Sequence, residues 1–217
     1  MNRKHILVII SILMLLFSVS IILICYYCIP RISYTYDAIT DSYQVDTVFG
    51  NAESYHIEST IKNKPVTKIR SKAFMNKTNL VRIKLSENLK EIERLAFLNC
   101  INLEEINLET VEVIGRNAFE NCRSIKSVQL TLPNISGGVF MGCTSLETVT
   151  MEQTKSIGSY AFAYTAIETI TIKETTISVG VDAFYQCERL KKIIVLSEIL
   201  QSNEYLNSLD IVEFQGN

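Results

Sequence analysis

Six phenylalanines, Phe74, Phe97, Phe119, Phe140, Phe162 and Phe184, follow one another at intervals of 23, 22, 21, 22 and 22 residues. Other columns keep step with them. Five residues before each Phe stands an aliphatic: Ile69, Ile92, Ile114, Ile135, Ile157 and Val179. Immediately before it stands Ala73, Ala96, Ala118, Val139, Ala161 or Ala183. Six residues after come Leu80, Leu103, Ile125, Leu146 and Leu190, while the fifth copy is one residue short and gives Ile167. Each of these opens an alternation of the form Leu80-x-x-Ile83-x-Leu85, repeated as Leu103-x-x-Ile106-x-Leu108 and onward to Leu190-x-x-Ile193-x-Val195.

A coil of about 22 residues cannot bury such columns by itself; stacked on its neighbours it can. The pattern therefore predicts a solenoid. Its alternating stretch has the period of a strand, one per coil, and successive strands would pair in parallel about 4.8 Å apart. Six coils then rise roughly 29 Å. One aromatic ring per coil fills the middle of the stack, because aromatic side chains bury the most area per residue. The small residue before each Phe fits a tight turn of the chain.

Cys100, Cys122, Cys143 and Cys187 each follow a Phe by three residues. Zinc ligands come in convergent sets with close pairs such as C-x-x-C, whereas these cysteines come singly, one to a coil. They are read as a ladder of small apolar side chains inside the coil. A disulfide between neighbouring rungs, Cys100 with Cys122 for example, stays open outside the cell: the rung spacing suits the Cα distance but does not fix the Cβ direction. Cys25 and Cys28 have C-x-x-C spacing but lie at the end of an apolar run with no strand before them.

The combined pattern I-x-x-x-A-F-x-x-C-x-x-L-x-x-I-x-L resembles the bacterial surface-antigen (BspA-like) class of leucine-rich repeats, over Val66 to about Leu196. The lead-in YHIESTIKNKPVTKI, residues 55–69, is similar to the entry segment of that family, with Asn63 where Gly is usual. Asn is the next best residue for a positive φ. Lys77 and Thr165 depart from the pattern by replacing Cys, and GGVF replaces x-x-A-F in the fourth copy. The resemblance implies a mainly β, or α-β, leucine-rich-repeat solenoid of about six coils with a parallel sheet on one face. It also implies a cell surface, binding or adhesion, and no catalysis.

If the apolar alternation points inward, the residues between point out. The outward columns hold Arg82, Glu105, Ser127, Thr148, Thr169 and Lys192, then Lys84, Asn107, Gln129, Thr150 and Thr171, with Glu147 and Glu168 alongside. These are the candidate ligand face, with a hydroxyl-rich centre and cations toward both ends. A solvated sheet without a ligand would carry the same residue types. The face is therefore read as a site for a protein or a surface glycan, against a structural spacer with no specific ligand.

Residues 6–29 contain no charge, Pro or Gly. As a helix, they would measure about 36 Å, enough to cross a hydrocarbon core of about 30 Å. Arg3 and Lys4 precede the run, which predicts a cytoplasmic N-terminus, a single pass through the lipid bilayer and repeats outside. A cleaved signal peptide is the competing reading; it wants a shorter apolar core and small residues where Tyr26, Tyr27 and Ile29 stand. Beyond Lys4 the chain has 19 basic residues against 23 acidic ones, a net of −4, which disfavours nucleic acid. With two His, no G-x-S-x-G, no H-E-x-x-H and no phosphate loop, nothing implies an enzyme, a metal or a cofactor. The expected domains are a stub and anchor at 1–31, a linker and N-terminal cap at 32–65, repeats at 66–197, and a C-terminal cap at 198–217.

Overall fold

The computed structural model describes residues 29–215, together with positions 14 and 17–19. The anchor expected at 6–29 thus lies almost wholly outside the described residues. Among the described residues, no helix is long and apolar enough to cross a membrane.

The chain enters through an antiparallel pair, β1 (Arg31–Asp37) and β2 (Ser42–Phe49). After β3 (Ser54–His56), a tight hairpin joins β4 (Thr60–Ile61) to β5 (Lys64–Ile69). Its two loop residues, Lys62 and Asn63, have φ of 48° and 61°, the positive-φ pair that a type I′ hairpin turn demands. The coils then run through β6 (Arg82–Lys84), β7 (Glu91–Ile92), β8 (Val113–Ile114), β9 (Ser127–Leu130) and β10 (Asn134–Ile135). They continue through β11 (Thr148–Met151), β12 (Ser156–Ile157), β13 (Thr169–Ile172), β14 (Ser178–Val179) and β15 (Lys192–Val195). A 3-10 turn (Glu198–Ser202), the one-turn helix α1 (Glu204–Asn207) and β16 (Val212–Phe214) follow.

The solenoid is more elaborate than one strand per coil. The aliphatic five residues before each Phe closes a second strand, two residues long in every coil after the first, which pairs in parallel with its neighbours: β5–β7–β8 and β10–β12–β14. The stack also extends past the six Phe coils at both ends. β2 joins β5, β3 joins β6 and β16 joins β15, all in parallel.

Between these two strand columns lies the turn edge, where the Phe residues sit. Each coil takes positive φ two residues before and two residues after its Phe: Lys72 and Asn76, Leu95 and Asn99, Asn117 and Asn121, Gly138 and Gly142, Tyr160 and Tyr164, Asp182 and Gln186. The chain between them runs flat against the next coil, so that Phe74 N–H donates to Ala96 O and Phe97 N–H to Ala118 O at 2.8 Å. At Gly138, a Cβ would meet the Asn117 carboxamide at 2.5 Å, so the coil without the Ala-Phe pair uses glycine there for close approach as well as for φ.

The side-chain consequence is a column of rings. Phe74, Phe97, Phe119, Phe140 and Phe162 are fully buried and Phe184 nearly so. Successive centroids lie 4.8, 5.1, 5.4, 5.9 and 5.9 Å apart, with planes within 12° of parallel. Tyr55 closes the first end edge-on to Phe74. At the other end, Tyr205 accepts from the Phe184 N–H (3.0 Å), Asn203 donates its side chain to Val179 O (3.1 Å), and Leu206 is fully buried. The last coil's exposed donor and acceptor are thereby satisfied, as a solenoid end requires.

The cysteines line the same interior. Cys100, Cys122 and Cys143 are fully buried, and Cys187 is 9 % exposed. Each Sγ lies 3.0–3.2 Å from a Phe carbonyl: Phe74, Phe97, Phe119 and Phe162 in turn. All four are free thiols, so the disulfide left open by the sequence does not form. Burial pushes the Cys100 thiol up to about 12 and raises the other three. Thr165, in a Cys position, donates to Phe162 O (2.8 Å). Lys77, the other replacement, donates to Gly50 O, and burial lowers its pKa.

Candidate functional site

The outward columns sit where the alternation places them, but the sheet beneath them is not continuous. In coils three to six, the strands carry Val, Ile and Thr: Thr148-Val149-Thr150-Met151 pairs residue for residue with Ser127 to Leu130, and Thr169 to Ile172 with Lys192 to Val195. β-branched side chains fit such a half-buried pleat. Between β11 and β13 the ladder is interrupted at the coil that is one residue short.

Coil two departs most. Its stretch Glu104-Glu105-Ile106-Asn107 is composed mainly of poor strand formers. The Asn107 carboxamide also accepts from the Glu109 N–H (2.9 Å), an Asx turn that competes with the ladder. The coil keeps only a bridge from Arg82 to Glu105 and forms no strand there. A missing strand between β6 and β9 leaves an open groove of about 950 Å³ on the face. His56, Arg82, Lys84, Glu105, Asn107 and Ser127 line it, together with Glu58, Glu87 and Glu104.

Charge divides the face in the same way. In the C-terminal half, Glu147 pairs with Arg189 at 3.0 Å and Glu168 with Lys191 at 2.8 Å, while Lys192 pairs with Glu213. The nearby ammonium of Lys191 holds Glu168 below the usual carboxylate range. In the groove, by contrast, Arg82, Lys84, Glu104 and Glu105 enter no ion pair with described residues. Both signs of charge are therefore available to a ligand there.

Of the candidate face residues, Arg82, Lys84, Glu105, Asn107 and Ser127 converge on the groove. Gln129, Thr148 and Thr169 are exposed on the flatter remainder, and Thr150, Thr171 and Lys192 are half-buried. Glu147 and Glu168 are spent on their ion pairs. His56, Glu58 and Glu87 were not in the outward columns: they belong to β3 and to turns whose residues carry no repeat signal. Among the described residues, no three His, Cys, Asp or Glu side chains are grouped to hold a metal ion.

The sequence profile of the BspA type leucine-rich repeat region matches this chain over residues 46–155 and 155–213, in six copies. Among solved structures, the chain is similar to a leucine-rich cell surface protein from Faecalibacterium prausnitzii. The two are 27% identical with a TM-score of 0.67, over 77% of this chain and 53% of that one. It shares its fold with the pneumococcal vaccine antigen PcpA, at 18% identity and a TM-score of 0.56, over 78% of this chain and 49% of that one. The chain thus spans about half the length of these two proteins. No curated protein sequence matches it significantly.

Proposed function

The chain belongs to the family of BspA-type leucine-rich repeats, and on that premise we propose that it is a surface-exposed binding module whose ligand, a protein or a glycan, docks in the groove on the strand face. The observation that carries this reading is the missing strand of coil two. It opens a cleft beside unpaired charges of both signs, while Glu147, Glu168 and Lys192 on the rest of the face are held in ion pairs. Four acids and two cations border the groove, which suits a partner of mixed charge and not a polyanion. The family's fold, a leucine-rich repeat, supports a binding module.

The apolar run at 6–29, with Arg3 and Lys4 before it, supports an anchored form with the repeats outside the membrane. Protease added to intact cells would then remove the repeats and leave the N-terminus protected; full protection of the repeats would refute that topology.

The binding reading is tested by titrating the full chain in detergent micelles against extracellular-matrix proteins and glycans, beside a variant carrying Arg82→Ala, Lys84→Ala and Asn107→Ala. Saturable binding that the variant loses is the expected result. Binding that the variant retains would move the site elsewhere, and none to a folded wild type would leave a structural spacer.

A further inference from the structure

Tyr160, Tyr164 and Tyr185 cluster on the turn edge of coils five and six, 41, 46 and 42 % exposed. Tyr185 meets Tyr160 and Tyr164 edge to face, with centroids 6.1 and 5.6 Å away. The Tyr160 hydroxyl donates to Asp182 at 2.9 Å, which fixes the ring. The backbone under two of these residues is unfavourable for them. Tyr160 and Tyr164 have φ of 58° and 60°, at columns where coils three and four carry Asn or Gly. The repeat imposes this φ in every coil, so each tyrosine is held by the turn against its own preference and its ring has a fixed starting direction.

Tyr164 also forms one wall of a separate groove of about 320 Å³ that shares no lining residue with the strand-face groove. Met141 and Gly142 belong to its lining, and Asn121, Arg123 and Thr144 supply polar groups. Gly142 is required here: a Cβ would meet Asn121 Oδ1 at 2.4 Å. Asn121 is held by donating its amide to Asn99 Oδ1 at 3.0 Å. Arg123 is exposed and enters no ion pair among the described residues. Glu120, three residues before it, accepts from the Asn117 amide at 3.0 Å.

We propose that this groove binds a carboxylated pyranose at the end or edge of a glycan. The volume is at the lower limit of small-ligand sites, where one or two sugar rings fit and a protein surface of the usual interface area does not. A tyrosine ring offers an apolar face to the C–H side of a sugar, and its hydroxyl joins the polar rim. The guanidinium of Arg123 complements a carboxylate in charge and in its planar fork. The site is distinct from the strand-face groove, and its test does not depend on that reading.

The test is calorimetric titration of the full chain in detergent micelles with a hyaluronan hexasaccharide, with sialyllactose and with neutral chitohexaose. One or both of the acidic sugars bind, and which one does identifies the source of the carboxylate; chitohexaose binds at least about tenfold more weakly. Arg123→Gln reduces acidic-sugar affinity by about tenfold or more. Tyr164→Asn does the same and leaves the melting temperature unchanged or higher, because Asn tolerates that φ better. This pairing separates loss of a ligand contact from loss of fold. Failure of both acidic sugars to bind overturns the proposal, as does equal binding of chitohexaose or undiminished affinity in either variant.

Discussion

The strand face of this solenoid has two halves built from one repeat, and they differ in what occupies the outward columns. Coils three to six place Thr, Ser, Gln and Lys beside Val and Ile, form four-residue strands and tie their acids to nearby cations. Coil two places Glu, Glu and Asn in the same columns and forms no strand. The interior beneath hardly changes: Leu103 and Ile125 are both fully buried, and the rings stack through both halves. The columns that build the stack are therefore separable from the columns that shape its surface. A groove can be opened by weakening one strand without disturbing the spine.

That separation is most severely challenged at the spine. Phe119→Ala, at the junction of the halves, should cost about 3–5 kcal/mol and lower both halves in a single transition, followed by circular dichroism in urea. Independent melting of the halves would break the comparison by making them separate units. A smaller effect is expected from pH. Burial raises the Cys100 pKa to about 12, so the unfolded chain releases its proton first as pH rises from its ordinary value of about 9. Stability should be intact below pH 9 and fall between pH 9 and 12 in thermal melts, with less fall in Cys100→Ala. Iodoacetamide should leave the thiol unmodified at pH 8 until denaturant is added.

Asn107→Val sharpens the contrast directly. Removing the Asx turn and adding a strand former should extend the ladder through coil two, for a gain of about 0.5–1 kcal/mol in denaturant titration and a loss of groove binding. Smallest of all is Glu168→Gln in the other half, where an exposed ion pair is broken and the change should stay under about 0.5 kcal/mol.

The spine was plain in the sequence because Phe, Ala and the aliphatics recur in register, and burial demands the same residue type in every coil. The second strand column was hidden. After the first coil each copy is two residues long and contributes one aliphatic, as at Ile92, with no alternation to read. The positive-φ column before each Phe was hidden too, since Lys72, Leu95, Asn117, Gly138, Tyr160 and Asp182 share a backbone conformation and no chemistry, whereas the column after it carries Asn76, Asn99, Asn121 and Gly142, residues that favour that φ. Asn63 announced itself, by standing where the family's entry segment usually has Gly. The outward columns were legible as positions but not as a site. The groove arises from a strand that fails to form, and the signal for it lay in Glu104, Glu105 and Asn107 as weak strand formers. Its far wall, His56 in β3, comes from the segment before the first Phe coil, where the sequence columns had not yet begun.

The most direct test of the two-halves account is residue-resolved amide hydrogen exchange on the native chain. The account predicts that amides of Thr169 to Ile172 and Lys192 to Val195 exchange slowly, near the rate of global unfolding, while those of Glu105 to Leu108 exchange much faster. Equal protection of coil two and coils five and six would mean that the ladder runs unbroken and that the groove is not a property of the fold.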